Sequence, residues 1–364
     1  MMPKRPSVLF IGRYWEERFL AGVAEYARKA GWMLHSGLRR SHQDLPPNWH
    51  GEGVIANTLG DPDLIQYVRE RGVPAVATDR SGEVFGAPMI FNDETSIGRA
   101  AADHLVPLGF THFAFVAPRN RLGSLRASGF EEAVTAAGRT CLRIAKEDLP
   151  DLLHGLPKPM AILITNDTHA LDVMYEIESA GYQVPKDFAL VGVDDDEITC
   201  TLCSVPLTSV NLDYEGRGYR CAEVLDLLMQ GSRDFSGIIH WPIQGVTVRR
   251  STDTIAIPHP AAAEALRFIR EHYRKPIGLT ELETHLGVSL RGIQDVFKHH
   301  VGRSLAQEIA RLRLEAATQL LGTTKLKLEA IAQECGYSGR VHLARAIRRA
   351  KGLSPQAMRR TSRA

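Results

Sequence analysis

The chain has 364 residues, 44% of them apolar and 24% charged, which suits two or three domains with a sizeable core. No run approaches the ~20 apolar residues of a membrane-spanning helix. The net charge of +2 hides a split: residues 261–364 hold 19 Lys and Arg against 9 Asp and Glu, a balance of +10, and residues 1–260 hold 25 against 33, a balance of −8. A basic module on an acidic body points to nucleic acid as the partner of the basic part, with a solvated helical surface as the competing reading. The opening MMPKRPSVLFIG enters a strand-like run at once and carries no cleavable signal pattern, so the expectation is a cytoplasmic protein with no membrane partner. The five Cys at 141, 200, 203, 221 and 335 are odd in number and scattered, which suits reduced thiols.

Through the first 250 residues short β-rich runs fall at 7–12, 53–57, 74–79, 112–118, 160–167 and 188–194. Helix-length amphipathic segments lie between and after them, at 16–31, 61–72, 95–110, 128–138, 168–181 and 216–231. Several end in Gly before the next strand, the usual helix stop. All-apolar strands alternating with helices predict parallel sheets covered on both faces. The number of elements exceeds one such fold, so two lobes are expected, one after the other along the chain. The segment 251–262 has two Pro, loses the strand rhythm and reads as a linker. Only helical patterns follow it.

The helical remainder contains a repeat. At an offset of 49, Leu279, Leu282, Leu286, Gly287 and Ser289 match Leu328, Ile331, Cys335, Gly336 and Ser338; at 50, Phe297, Gly302 and Ser304 match Ile347, Gly352 and Ser354. Each copy reads as helix, Gly-containing turn, helix, over about 279–300 and 328–351. Thr280 with Glu283 has the spacing of a capping box, and Ser289 and Ser338 are placed to cap the second helices. This is the helix-turn-helix pattern, whose second helix enters the DNA major groove. In the first copy Ile293 and Phe297 form the inward pair and leave Arg291, Gln294 and Lys298 outside. In the second, Leu343 and Ile347 turn inward, leaving Arg340, His342, Arg345, Arg348 and Arg349 outside, with Ser338 at the helix start. Arg pairs bidentately with guanine or phosphate, which fits groove binding. Pairing with Glu308, Glu315 or Glu329 is the rival role for some of these arginines.

The phrase IAQECGYSGRVHLARAIRRAKGLSPQAMRR resembles the signature of the AraC/XylS family DNA-binding domain. Leu343, Ile347 and Met358 stand where that family usually has Phe, Phe and Tyr, and all three keep an apolar residue. The resemblance implies seven helices, with two helix-turn-helix units joined by a long helix near Ser304–Leu321, reading major-groove segments ~34 Å apart. Residues 188–229, FALVGVDDDEITCTLCSVPLTSVNLDYEGRGYRCAEVLDLLM, together with HLVPLGFTHFAFVAP and ITNDTHALDVM, resemble periplasmic-binding-protein-like effector domains of the LacI kind.

Together these resemblances imply a two-lobe α/β periplasmic-binding-protein-like domain with parallel sheets over 1–250, a linker at 251–262, and an all-α domain with two helix-turn-helix motifs over 263–364. The implied function is a transcription regulator controlled by a sugar, xylose or a related pentose, bound between the lobes. It would act as a homodimer on operator DNA and, as an activator, would meet RNA polymerase. Carried onto this chain, the effector contacts are Asp194, Asn166, Arg126 and Asp93, with Arg13, Tyr14 and Trp15 offering an aromatic face. Such groups suit hydroxyls that both donate and accept, and strand ends are where open α/β sheets bind ligands. Rival roles are an Arg126 pair with Asp93 or a helix carboxylate, an Asn166 cap on the helix near Thr168, and a core or dimer-surface place for Tyr14 and Trp15. Asp195, Asp196 and Glu197 read as a solvated loop.

No GxxxxGK[ST], HExxH or GxSxG motif occurs, and Cys200 and Cys203 form one CxxC with no second pair nearby. No metal, cofactor or catalytic set is expected. The alternative from another class is a sugar- or metabolite-processing α/β enzyme with a DNA-binding tail, for which the chain offers no convincing nucleophile or acid–base pair.

Overall fold

Apolar strands of three to six residues alternate with amphipathic helices up to residue 252. The structure, a computed structural model, describes residues 5–12, 16–37, 49–257, 259–275, 277–287, 289–324 and 326–361. In chain order the first elements are β1 (Ser7–Gly12), α1 (Glu17–Ala30), β2 (Met33–Gly37), β3 (Gly53–Asn57), α2 (Pro62–Arg71), β4 (Ala75–Ala77), α3 (Gly82–Phe85) and β5 (Met89–Asn92). Then come α4 (Glu94–Leu105), β6 (His112–Ala117), α5 (Leu125–Ala136), β7 (Thr140–Ala145), α6 (Leu149–Leu152), β8 (Met160–Ile164) and α7 (Asp167–Ser179). β9 (Phe188–Val193), α8 (Glu197–Leu202), β10 (Thr208–Asn211), α9 (Tyr214–Met229), β11 (Ile238–Trp241) and β12 (Gly245–Thr247) complete the α/β part.

The chain divides into two units, one of residues 1–93 and 213–242, the other of 94–212 and 243–363. The two α/β lobes are therefore not consecutive in the chain, as the sequence reading had them: it leaves the first unit after Asp93, returns at Asp213 and leaves again after Pro242. The reason lies in pairing that a linear reading cannot see. In the first unit the order is β11-β5-β4-β3-β1-β2, all parallel, and β11 runs beside β5 with Ile239 opposite Ile90. Helix α9 lies on α1 at a crossing only glycine allows, because a Cβ on Gly22 would meet Glu215 O at 1.9 Å and one on Gly218 would meet Phe19 O at 2.0 Å. The core gathers Leu9, Ile11, Val54, Leu64 and Val68.

In the second unit the order is β12-β10-β9-β8-β6-β7, parallel except for β12 against β10. Val116, Ile162, Ile164, Val173 and Leu190 build its core. The same unit carries a run of seven helices among the described residues: α10 (Pro260–His272), α11 (Leu279–Leu286), α12 (Leu290–Val301), α13 (Leu305–Thr323), α14 (Leu328–Glu334), α15 (Arg340–Lys351) and α16 (Pro355–Thr361). They form two small cores that share α13. Leu305 and Ile309 join Leu266, Leu282, Ile293 and Phe297, while Ala317 and Leu321 join Ile331, Cys335, Leu343 and Ile347. Ser251 and Thr252, expected in the linker, are buried in the lobe, where the Ser251 hydroxyl donates to Leu190 O at 2.6 Å. Helix α10 begins at Pro260, inside the expected linker, with His259 as its cap.

Candidate effector site and nucleic-acid interface

Strand β9 is buried along its whole length and ends at Val193. The backbone then turns left-handed at two successive non-glycine residues, Asp194 (φ 112°) and Asp195 (φ 52°). Such conformations are costly and persist only where surroundings impose them. Here Asp194 N–H donates to Val210 O at 3.0 Å and Asp195 N–H to Ser209 Oγ at 3.0 Å. The turn directs Asp195 inward, where its carboxylate forms an ion pair with Arg249 (2.8 Å) and accepts from Asn211 (2.9 Å) and Thr247 (2.7 Å). Asp196 caps α8 through Thr199 N–H at 2.7 Å. Asp195 and Asp196 therefore do not belong to a solvated loop, because their carboxylates hold the local structure, while Glu197 is exposed as expected. Beneath it lies Asp167, 1% exposed, which accepts from Ser209 Oγ at 2.6 Å and from Asp196 N–H at 2.8 Å. Burial pushes the Asp167 carboxyl up to about 7; the Ser209 and Asp196 hydrogen bonds oppose this and the Asp194 charge adds to it.

Two other expected contacts meet at the end of β8. Arg126, on the first turn of α5, pairs with Glu94 through Nε at 2.9 Å and Nη2 at 3.1 Å, and donates from Nη1 to Thr165 O. Next to Thr165, Asn166 caps α7 by accepting His169 N–H at 2.9 Å. The helix-carboxylate and capping roles are both realised, with Glu94 as the helix carboxylate. Since β8 and β9 are neighbours, Arg126, Asn166 and Asp194 share one edge of the second unit's sheet. Asp93 follows β5 in the other unit. Arg13, Tyr14 and Trp15 lie outside the described residues.

The sequence reading missed a polar group at the matching edge of the first unit. Asn57 ends β3, and Thr78 follows β4, its N–H on Ala56 O at 2.9 Å. Among the described residues Asn57 Oδ1 and Thr78 Oγ1 are buried with no hydrogen-bond partner, an arrangement that suits a hydroxyl-bearing ligand. Arg217, on α9, donates to Asn92 Oδ1 at 2.6 Å. An Asn closing the otherwise apolar GVIAN run was the available signal.

In the helical part the inward pairs lie as expected, leaving Arg291, Gln294 and Lys298 exposed on α12, and Arg340, His342, Arg345, Arg348 and Arg349 exposed on α15. Among the described residues none of these forms an ion pair. Glu308 and Glu315 are taken by Arg311 instead, Glu308 also by Arg303. Ser289 caps α12 through Arg291 N–H at 3.3 Å, and Ser304 caps α13 through Gln307 N–H at 3.3 Å. Two expected caps differ. α11 starts at Gly278, whose N–H goes to Glu281 at 2.8 Å, so Thr280 sits two residues too late to cap. α15 starts after Gly339, which leaves the exposed Ser338 hydroxyl bonded to His342 Nδ1 at 2.8 Å.

Among the described residues no His, Cys, Asp and Glu cluster could hold a metal, and no helix is long and apolar enough to cross a membrane. Residues 102–252 match a periplasmic binding protein-like domain and residues 282–361 a helix-turn-helix domain. The chain is 27% identical over 386 residues to the xylose operon regulatory protein of Escherichia coli, with 99% of this chain and 98% of that one covered. It is 23% identical over 353 residues to the protein of the same name from Haemophilus influenzae, covering 89% and 90%. The chain is a transcription regulator, built like the xylose operon regulators. Among solved structures, a xylose-binding transcription activator superposes on the regulator over 99% of both chains, with a TM-score of 0.62 and 25% identity. A cellobiose complex of the regulator CelR shares the fold over 69% of this chain and 86% of that one, at a TM-score of 0.57 and 24% identity. The full-length relatives are regulators, which sets aside the enzyme alternative.

Proposed function

We propose that the regulator grips operator DNA with α12 and α15 and is controlled by a sugar, xylose or a related pentose, held at the C-terminal strand ends by Asp194, Asn166, Arg126 and Asp93. The observation that carries the reading is the exposed face of α15. Four arginines and a histidine stand there with no acidic neighbour on the helix, on the second of two helix-turn-helix units. Ser338, at the turn before α15, and Arg291, Gln294 and Lys298 on α12 complete the DNA-facing set. Xylose is supported by the full-length likeness to regulators named for it. The working division is a sensing domain over 1–250, a connecting segment over 251–262 anchored at its start by Ser251 and Thr252, and a DNA-binding domain over 263–364.

The regulator acts in the cytoplasm as a homodimer. Ile198 and Leu202, 71% and 69% exposed, stand one turn apart on α8, and Tyr175, 69% exposed, stands on the adjacent α7. Their apolar surface suits a second copy. As an activator it would contact RNA polymerase from the operator. The test is fluorescence anisotropy of the full chain on its own upstream DNA, with and without a panel of pentoses and hexoses. Salt-sensitive binding that shifts with a pentose is expected; binding indifferent to every sugar would overturn the effector half, and no binding at any salt the DNA half.

A further inference from the structure

The strained turn after β9 connects through polar groups within the second unit to His104, at the end of α4 and just before the turn on which α12 packs. Its first link is the Asp195–Arg249 pair at 2.8 Å, in which Arg249 also donates to Leu207 O at 2.9 Å. The backbone of Arg249 is bound to Thr208: its N–H donates to Thr208 Oγ1 at 2.9 Å, and the Thr208 hydroxyl donates to Arg249 O at 3.1 Å. Thr208 Oγ1 also meets Thr252 Oγ1 at 2.8 Å, and Thr252 Oγ1 meets His104 Nε2 at 2.9 Å. With its only proton committed to Arg249, Thr208 must accept from Thr252, and Thr252 must accept from His104. The hydrogen bonds then all run one way, from imidazole to Thr252 to Thr208 to the Arg249 carbonyl, an order in which each polarises the next.

His104 closes the last turn of α4, two residues before the turn Val106–Leu108. It is buried, and burial with the charges of Arg270 on α10 and Arg311 on α13 brings it down to about 3, so it stays neutral and keeps the tautomer the chain requires. Arg311 is held in two bonds to Glu308, at 2.9 and 2.8 Å, and Arg303 approaches the same carboxylate at 3.5 Å. Glu308 is 1% exposed. It sits on α13, the helix shared by both helix-turn-helix cores. The first recognition helix also rests on the lobe: α12 packs on the turn Val106–Leu108, and Arg139 donates to His299 O at 3.4 Å.

We propose that this line of contacts couples the effector loop to the DNA-binding helices, with the Thr252 hydroxyl as its bridging group. The proposal rests on the reading that a sugar is the effector and names how it is relayed. Two successive left-handed aspartates give the loop a conformation that a ligand on Asp194 can release or tighten, and the next residue, Asp195, passes that change to Arg249. Thr208, Thr252 and His104 are buried polar groups that would be left unsatisfied if the line shifted in one place only.

The experiment measures operator affinity by anisotropy and sugar affinity by calorimetry on the full chain with xylose. The coupling factor is the ratio of operator dissociation constants with and without sugar, and lies at about 5–150 for allosteric proteins. Thr252→Val keeps the shape and removes the hydroxyl. It should leave xylose affinity and sugar-free operator affinity within about two-fold while the factor falls towards 1, and Thr252→Ser should restore it. Should Thr252→Val fail to fold, Arg249→Met severs the line one step earlier and should uncouple in the same way. An unchanged factor in these variants, or a Thr252→Ser protein as uncoupled as Thr252→Val, overturns the relay alone. An unmodified protein indifferent to xylose and to the other sugars brings down the effector reading, and the relay with it.

Discussion

At the scale of single residues, the least expected group is Asp167. Its sequence context, ITND, reads as a helix start, and nothing in the chain shows that this carboxyl is sealed under Asp196 and Ser209. Its folded value of about 7 lies above the ordinary 3.8, so the folded chain holds this proton where the unfolded chain has released it. Stability from this group is therefore complete below about pH 4 and is lost as pH rises through about 7. Asp167→Asn can donate to Ser209 and accept from Asp196 without a charge. Thermal melts should show it level with the parent at about pH 4 and a few degrees more stable near pH 8; a constant difference across that range would refute the assignment. Asp194 is legible as a motif, whereas the inward turn of Asp195 is not. Three adjacent carboxylates look alike in sequence, and only the left-handed backbone decides which is buried. For Asp194→Ala the expected loss of xylose affinity is about ten-fold or more, the scale of a hydrogen bond to a charged group. Calorimetry reads it, and an unchanged affinity would remove Asp194 from the site.

At the scale of elements, all six expected strands of the α/β part and all six expected helices occur within a few residues of their sequence positions, because long apolar runs and Gly stops are strong local signals. The strands that went unread are short or sit at sheet edges. β7 shows the reason: it is the edge of its sheet, Leu142 and Arg143 face solvent, and the run TCLRIA lacks the apolar density of a central strand. β11 and β12 give no periodicity to read in three or four residues. Pairing between distant strands was equally hidden, since neither β5 nor β11 carries a mark of the other. Glycines record part of this tertiary information. In the second unit a Cβ on Gly98 would meet Arg126 O at 2.1 Å, and one on Gly129 would meet Thr95 O at 2.2 Å, so α4 and α5 cross as closely as α1 and α9. Gly98→Val should separate α4 from α5 and cost about 3 kcal/mol or more, at the upper end for overpacking. Denaturant unfolding measures this, and a variant within ~0.5 kcal/mol of the parent would mean the helices have room to part.

At the scale of the whole molecule, the charge split seen first in composition acquires a location. The basic excess of the last hundred residues is concentrated on α15, while Arg303 and Arg311 are spent internally on Glu308 and Glu315. Net charge alone could not separate these two populations, since burial and pairing decide which arginines remain for DNA. The two recognition helices also differ. α12 mixes Arg291 and Lys298 with Asp295, whereas α15 has no acidic residue, so α15 should supply most of the electrostatic grip. Every phosphate that a variant no longer neutralises should lower the slope of log affinity against log salt by about 0.9. Changing Arg348 and Arg349 together to Ala should flatten the slope by about 2 if both meet phosphate, weakening all DNA sequences alike. Changing Arg345 to Ala, one turn from the helix start, should instead cost about 1–3 kcal/mol on the operator and little on unrelated DNA, as expected of a contact to a base edge. Binding isotherms on operator and scrambled duplexes at several salt concentrations distinguish the two behaviours. Equal losses on both duplexes for Arg345→Ala would move that residue from the base edges to the backbone, and an unchanged slope for the double variant would take α15 out of the groove.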